Sequence, residues 1–170
     1  GWFAPALQTG EAAAWLFDLG RAYYCQGWAE IEGATAGTQL FVSYADKLRS
    51  GELVLSDPST YCRVRLTDRF MLRPGSQVAE PFALRGGRYL LWLITGPTAP
   101  TLRLRFHARA AEYPLTVTRA YTAPDAELQK IANLCRRTFD ACLQETFVDS
   151  AWRESSQWVG DALPQALIMS

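Results

Sequence analysis

Thr101-Leu-Arg-Leu-Arg-Phe-His-Ala-Arg109 alternates without a break, Leu102, Leu104, Phe106 and Ala108 against Arg103, Arg105, His107 and Arg109. In an extended chain successive side chains point to opposite faces, so this period of two specifies an antiparallel strand with one buried and one solvated face. Weaker runs of the same kind surround it. Residues 61–66 put Cys62, Val64 and Leu66 on one face, 114–118 do so with Leu115 and Val117, and 15–19, 40–44 and 88–94 complete the set, separated by Gly and Pro signals. Regular short strands between turn residues predict a β-sandwich over residues 1–121.

At Thr122 the period changes. Thr122-Ala-Pro-Asp125 reads as a capping box, the Thr hydroxyl accepting from the amide three residues on and Pro124 sitting in the first turn, where it loses no hydrogen bond. Leu128, Ile131, Leu134, Cys135, Cys142 and Leu143 then recur near helical spacing up to about Glu145. A helical unit is therefore expected over residues 122–170, and the chain as a whole reads as mainly β.

Length and composition limit what such a chain does. At 170 residues and 19.0 kDa it holds one ordinary domain, or one small domain and the start of another. With 49% hydrophobic and 20% charged residues it can bury a core. Its 17 Lys and Arg balance 17 Asp and Glu, leaving no excess positive charge for nucleic acid or an anionic bilayer. The apolar runs at 89–94 and 163–169 are far below the roughly 20 residues of a membrane-spanning helix. Gly1-Trp-Phe-Ala-Pro lacks the basic start and apolar run of a signal peptide, and residues 161–170 stop without a helix-ending Gly, Asn or Pro. Both ends are expected to be cuts from a longer protein.

Cys25, Cys62, Cys135 and Cys142 show no CxxC spacing, and His107 is the only histidine, so no zinc site is expected. Cys135 and Cys142 share a helix face but stand too far apart along the axis for a disulfide. Buried free thiols are expected, with a lean toward a reducing, cytoplasmic compartment. Other residues that invite chemistry have plainer readings: His107 as a rim histidine, Arg85 and Arg88 as edge salt bridges, and Trp2, Trp15, Trp28 and Trp92 as core and interface packing.

The densest chemistry follows the helix, in Glu145-Thr-Phe-Val-Asp149-Ser-Ala-Trp152-Arg153-Glu154-Ser-Ser-Gln-Trp158-Val-Gly160-Asp161. If residues 153 onward are helical, Glu154, Trp158 and Asp161 stand at i, i+4 and i+7 and share a face. Asp149 can reach the same space from the preceding loop, while Arg153 can hold a carboxylate ionised. Glycoside hydrolysis uses such a set: an acid for the leaving oxygen, carboxylates for sugar hydroxyls and an aromatic wall for the ring. The same residues also suit a solvated helix face with a salt-bridged Arg, an N-cap at Asp149 and a core Trp158.

The run from Phe147 to Asp161 resembles the signature of the bacterial α-L-rhamnosidases, in which Asp-Cys-Pro precedes an Arg, a catalytic acid, an aromatic residue and Gly-Asp. Residues 128–138 resemble the first helix of that family's six-hairpin α/α barrel. Phe17-Asp-Leu-Gly20, Gly37-Thr-Gln-Leu and Phe82-Ala-Leu-Arg-Gly-Gly-Arg88-Tyr89 are similar to landmarks of the β-sandwich that precedes it. The resemblance implies a sandwich followed by the first barrel helices, with Glu154 as general acid and Asp149, Arg153, Trp158 and Asp161 lining the rhamnose subsite. It also implies an inverting mechanism with a Glu base beyond Ser170, no metal or organic cofactor, and a rhamnose-containing glycoside and the rest of the barrel as partners. Ser150 and Ala151 depart from Cys-Pro and remove the proline restraint after Asp149. Alone, the chain is expected to be inert. The rival readings are a non-catalytic carbohydrate-binding or scaffolding β-sandwich, and another barrel glycosidase with a different sugar.

Overall fold

The computed structural model describes residues 1–8, 10–50, 52–53, 66–116 and 121–169. The strands expected at 61–66 and 114–118 each lie partly outside these residues; Leu66 is buried, and 114–116 are not in a strand. The order is β1 (Ala12–Ala34), β2 (Gln39–Ala45), β3 (Leu48–Arg49), β4 (Glu52–Leu53), β5 (Thr67–Met71), β6 (Gly75–Ala79), β7 (Arg85–Thr95), β8 (Arg103–Ala110), α1 (Ala126–Cys142) and α2 (Val159–Met169). Six strands form one antiparallel sheet, and β3 pairs with β4 in a small hairpin. The chain is mainly β, as its alternating patterns require.

The expected strand at 15–19 is the beginning of a strand of 23 residues. Cys25 pairs with both Arg85 and Ala110, and Ala29 with both Ala79 and Phe106. β8 therefore fills one edge of β1, while β7 and then β6 succeed one another along the other. Ala, Gly and Glu make the second half of β1 a poor strand by propensity, and pairing on both edges overrides that.

β1 also bends. Trp15 and Ala29 would lie about 46 Å apart on a straight strand, yet Phe106, paired with Ala29, has its ring 5.1 Å from that of Trp15. The bend falls between Asp18 and Tyr23, where β1 carries three more residues than β7 and Gly20 takes a φ of +81°. Curling closes the sheet over Trp92, whose ring stacks on Phe106 at 4.8 Å, with Phe3, Trp15 and Phe17 around them. Leu40, Val42 and Tyr44 of β2, Leu90 and Ile94 of β7, Ile31 of β1 and Leu104 of β8 complete the core. Leu102 and Leu104 point inward as read, whereas Ala108 is exposed near the end of β8.

The bulge is pinned by Asp18. Its carboxylate accepts two hydrogen bonds from Arg88, both 2.8 Å, and one from the Gly20 amide, also 2.8 Å, and these hold its pKa down at about 2. A depressed folded pKa gives a contribution that is complete above the ordinary carboxylate range and drains away as pH falls toward 2. Urea midpoints should accordingly fall more between pH 4 and pH 2 in the wild type than in Asp18→Asn; parallel profiles would contradict this. Arg85 likewise spends its guanidinium on Asp68, at 2.8 and 2.9 Å. Both arginines are salt-bridge partners within the sheet.

α1 begins at Ala126, and its cap is Asp125, whose carboxylate accepts from the Leu128 amide at 2.9 Å. The cap expected at Thr122 is thus displaced by three residues, because Asp125 offers the same acceptor geometry and Pro124 cannot be preceded easily by helical backbone. α1 ends at Cys142 rather than near Glu145. Leu128, Ile131 and Leu134 are exposed, while Cys142 and Leu143 are buried. Among the described thiols all are free; Cys25 and Cys142 are buried, and burial pushes Cys25 up to about 11, but Cys135 is exposed, contrary to expectation.

Candidate functional site

Past α1 the chain turns back on itself. The Val148 amide donates to the Cys142 carbonyl at 3.1 Å, which buries Val148 and starts the segment carrying the candidate residues. From the other side, the Gln165 amide group of α2 donates to the Val148 carbonyl at 3.0 Å.

Residues 149–156 form a closed loop. The Asp149 amide donates to the Ser156 carbonyl, and the Ser156 amide donates back to the Asp149 carboxylate, each at 3.0 Å. The Ser150 hydroxyl donates to the second carboxylate oxygen at 3.0 Å and accepts from the Glu154 amide at 3.3 Å. Ser150 thus supplies in hydrogen bonds some of the restraint that a proline would impose there.

Glu154 sits at the end of this turn, its side chain 19% exposed. One carboxylate oxygen lies 3.0 Å from Arg153, and the other accepts from the Trp158 indole N–H at 2.9 Å. The helical frame read from the sequence is corrected here. Residues 151–154 form a turn, Ser155 has a φ of +48°, and α2 starts only at Val159. A left-handed residue cannot continue a right-handed helix, so Glu154, Trp158 and Asp161 do not share a helix face. The structure brings Glu154, Arg153 and Trp158 into contact through the turn, with Asp149 closing the same loop. Asp161 stands apart, exposed in the first turn of α2, where a carboxylate favours the helix dipole. Trp158 is 55% exposed and is not a core residue.

Two features were missed in the sequence. Trp152, outside the candidate set, packs on the sheet core and donates its indole N–H to the Tyr44 carbonyl at 3.0 Å. Gly86 lies beneath it: a methyl there would overlap the Ala151 carbonyl and stand 2.6 Å from the Trp152 nitrogen. The available signal was glycine inside a strand pattern, which marks close approach of another backbone.

Trp28, His107 and Trp2 are engaged within the sheet domain. Trp28 stacks on His107 at 3.9 Å, and His107 Nε2 lies 2.8 Å from Glu30; the Arg105 guanidinium covers one face of Trp2 at 4.4 Å. A cavity of about 470 Å³ opens elsewhere, bounded by Tyr24, Phe82, Leu84, Tyr113 and Glu145, and none of the five candidate residues lines it.

No family model and no curated protein matches the chain. Two solved structures resemble it. A GH78 family rhamnosidase of Bacillus sp. GL1 superimposes with a TM-score of 0.75 at 27% identity, over 96% of this chain and 16% of that one. A rhamnosidase from Klebsiella oxytoca with rhamnose bound superimposes with a TM-score of 0.70 at 20% identity, over 95% of this chain and 33% of that one. The chain spans about a sixth of the first protein and a third of the second, and over nearly all of its own length it is similar in fold to these rhamnosidases.

Proposed function

We propose that this chain is part of an α-L-rhamnosidase, with residues 1–121 as a β-sandwich domain and residues 122–170 as the start of an α/α-barrel catalytic domain. The complete protein hydrolyses terminal α-L-rhamnose with inversion. The observation that carries the reading is the near full-length likeness to the Bacillus rhamnosidase, at 27% identity. In it, Glu154 is the general acid, placing its proton on the leaving glycosidic oxygen, and for that step its contact with Arg153 must give way to substrate. Asp149, Arg153, Trp158 and Asp161 bind the sugar, the carboxylates accepting from hydroxyls and the indole covering an apolar ring face.

Exposed apolar side chains support the barrel part of the reading. Leu128, Ile131 and Leu134 on α1, and Leu163, Ile168 and Met169 on α2, form surfaces that neighbouring barrel helices would cover. Inversion needs a base roughly 6.5–9.5 Å from the acid, with water between them. In this reading that base lies beyond Ser170, so the complete protein should release rhamnose of inverted configuration from an aryl α-L-rhamnoside, followed by NMR of the first-formed anomer. This chain alone should release none. Turnover by the chain alone would remove the requirement for a later base; release of a different sugar by the complete protein would redirect the substrate; saturable rhamnose affinity through the sheet alone would favour a binding module.

A further inference from the structure

We propose that Trp152 and Gly86 are positioning residues that fix the Glu154 turn on the β-sheet; the inference deepens the reading of Glu154 as general acid and rests on it. An acid on a loop is useful only if the loop is held to a fraction of an ångström, and a misplacement of about 1 Å can cost about 10²-fold in rate. Among the described residues of the helical segment, the turn is held by its own hydrogen bonds and by the Cys142 thiol, which donates to the Asp149 carbonyl, while Val148 just before it is tied to α1 and α2. What ties it to the sheet is Trp152, two residues before the acid.

Three observations make this a built contact. The Trp152 indole N–H reaches the Tyr44 carbonyl at 3.0 Å, and the ring packs against core residues. Tyr44 is itself immobilised: it is fully buried, its amide donates to the Leu66 carbonyl at 2.9 Å, and its hydroxyl accepts from the Gly27 amide at 2.8 Å. Gly86 leaves no Cβ where the Ala151 carbonyl and Trp152 amide approach, and that approach is backbone on backbone, with no flexible side chain to move aside. Gly86 cannot slide away either, because Arg85 beside it is clamped to Asp68. The loop closed by Asp149, Ser150 and Ser156 then transmits any displacement of Trp152 to Glu154. Trp152 and Gly86 are not partners of the Glu154 carboxylate, whose hydrogen-bond and ion-pair contacts are Trp158 and Arg153, so they act through position alone.

The test uses Gly86→Ala and Trp152→Phe in the complete protein, with two readouts. In hydrolysis of aryl α-L-rhamnosides, Gly86→Ala should lower kcat at least tenfold and Trp152→Phe severalfold. The loss should be larger for poor leaving groups, which need the acid, and KM should change less than kcat. In hydrogen exchange followed by mass spectrometry, the peptide spanning residues 149–156 should exchange at least tenfold faster in Gly86→Ala while core strand peptides stay protected. Should Gly86→Ala fail to fold, Trp152→Phe, which keeps an aromatic ring and loses only the donor-bearing part, decides the matter. A kcat within twofold of wild type in a folded variant, a loss independent of the leaving group, or unchanged exchange of that peptide would overturn the proposal. A wild type without rhamnosidase activity would defeat the acid reading, whereas the exchange measurement would still judge the contact.

Discussion

Trp92→Ala should lower the stability of the sheet by about 3–5 kcal/mol, the range for removing a large aromatic side chain from a packed core. The indole is 1% exposed, stacks on Phe106 at 4.8 Å, and lies between its paired neighbours Trp15 and Val42. Gly27 leaves the space it occupies: a methyl at Gly27 would stand 3.3 Å from the indole and 3.2 Å from Val42. Alanine there would leave Phe106 without its stacking partner and remove the ring that lies between Trp15 and Val42. Domains of this size are stable by about 5–15 kcal/mol, so the loss is a large fraction of the total. Denaturant titration should show a lower midpoint with an unchanged slope. Trp158→Ala, on an exposed side chain, should cost under about 1 kcal/mol. Similar midpoints for the two variants would show that the aromatic stack does not hold the sheet closed.

Glu154→Gln in the complete protein should reduce kcat by about 10²–10⁴-fold on substrates whose leaving group must be protonated, the range for a positioned general acid. Glutamine keeps the length of the side chain and an oxygen that can accept from Trp158 Nε1 or Arg153, so the turn should keep its shape. What it lacks is a proton to give. Dinitrophenyl rhamnoside, whose leaving group departs as a stable anion, should therefore be hydrolysed at a rate close to wild type. Rates measured across phenols of different acidity separate the cases. A loss equal for all leaving groups would assign Glu154 to substrate binding, and no loss would remove it from the reaction.

How far the sequence went differs between the two parts of the chain. The strand at 101–109 was legible because its Arg and Leu residues alternate strictly, and 40–44 and 88–94 because their apolar residues are large. The greater part of β1 was not, because Gly27, Ala29 and their neighbours carry little period-two signal and become strand through neighbours on both edges. The start of α1 was read three residues early because Thr122 and Asp125 both satisfy the chemistry of a cap, and local pattern does not choose between them. In the candidate site the residue types were legible, and so was the contact between Glu154 and Trp158, although for a mistaken reason. Spacing of four suggested a helix; the left-handed Ser155 supplies a turn that brings the same pair together.

By itself the sequence determined that this is a mainly β chain with a helical end, neutral overall, whose carboxylates, arginine and indole cluster within residues 149–161. Those properties are local: period, charge and composition act over a few residues and need no knowledge of distant ones. Only the tertiary structure decided that β1 folds back at Gly20 to enclose Trp92, and that Trp152 docks on Gly86 and Tyr44 beneath the Glu154 turn. Contacts between residues 66 or 108 positions apart arise from closure of the sheet, and no short-range periodicity encodes which backbone will come to rest against a glycine.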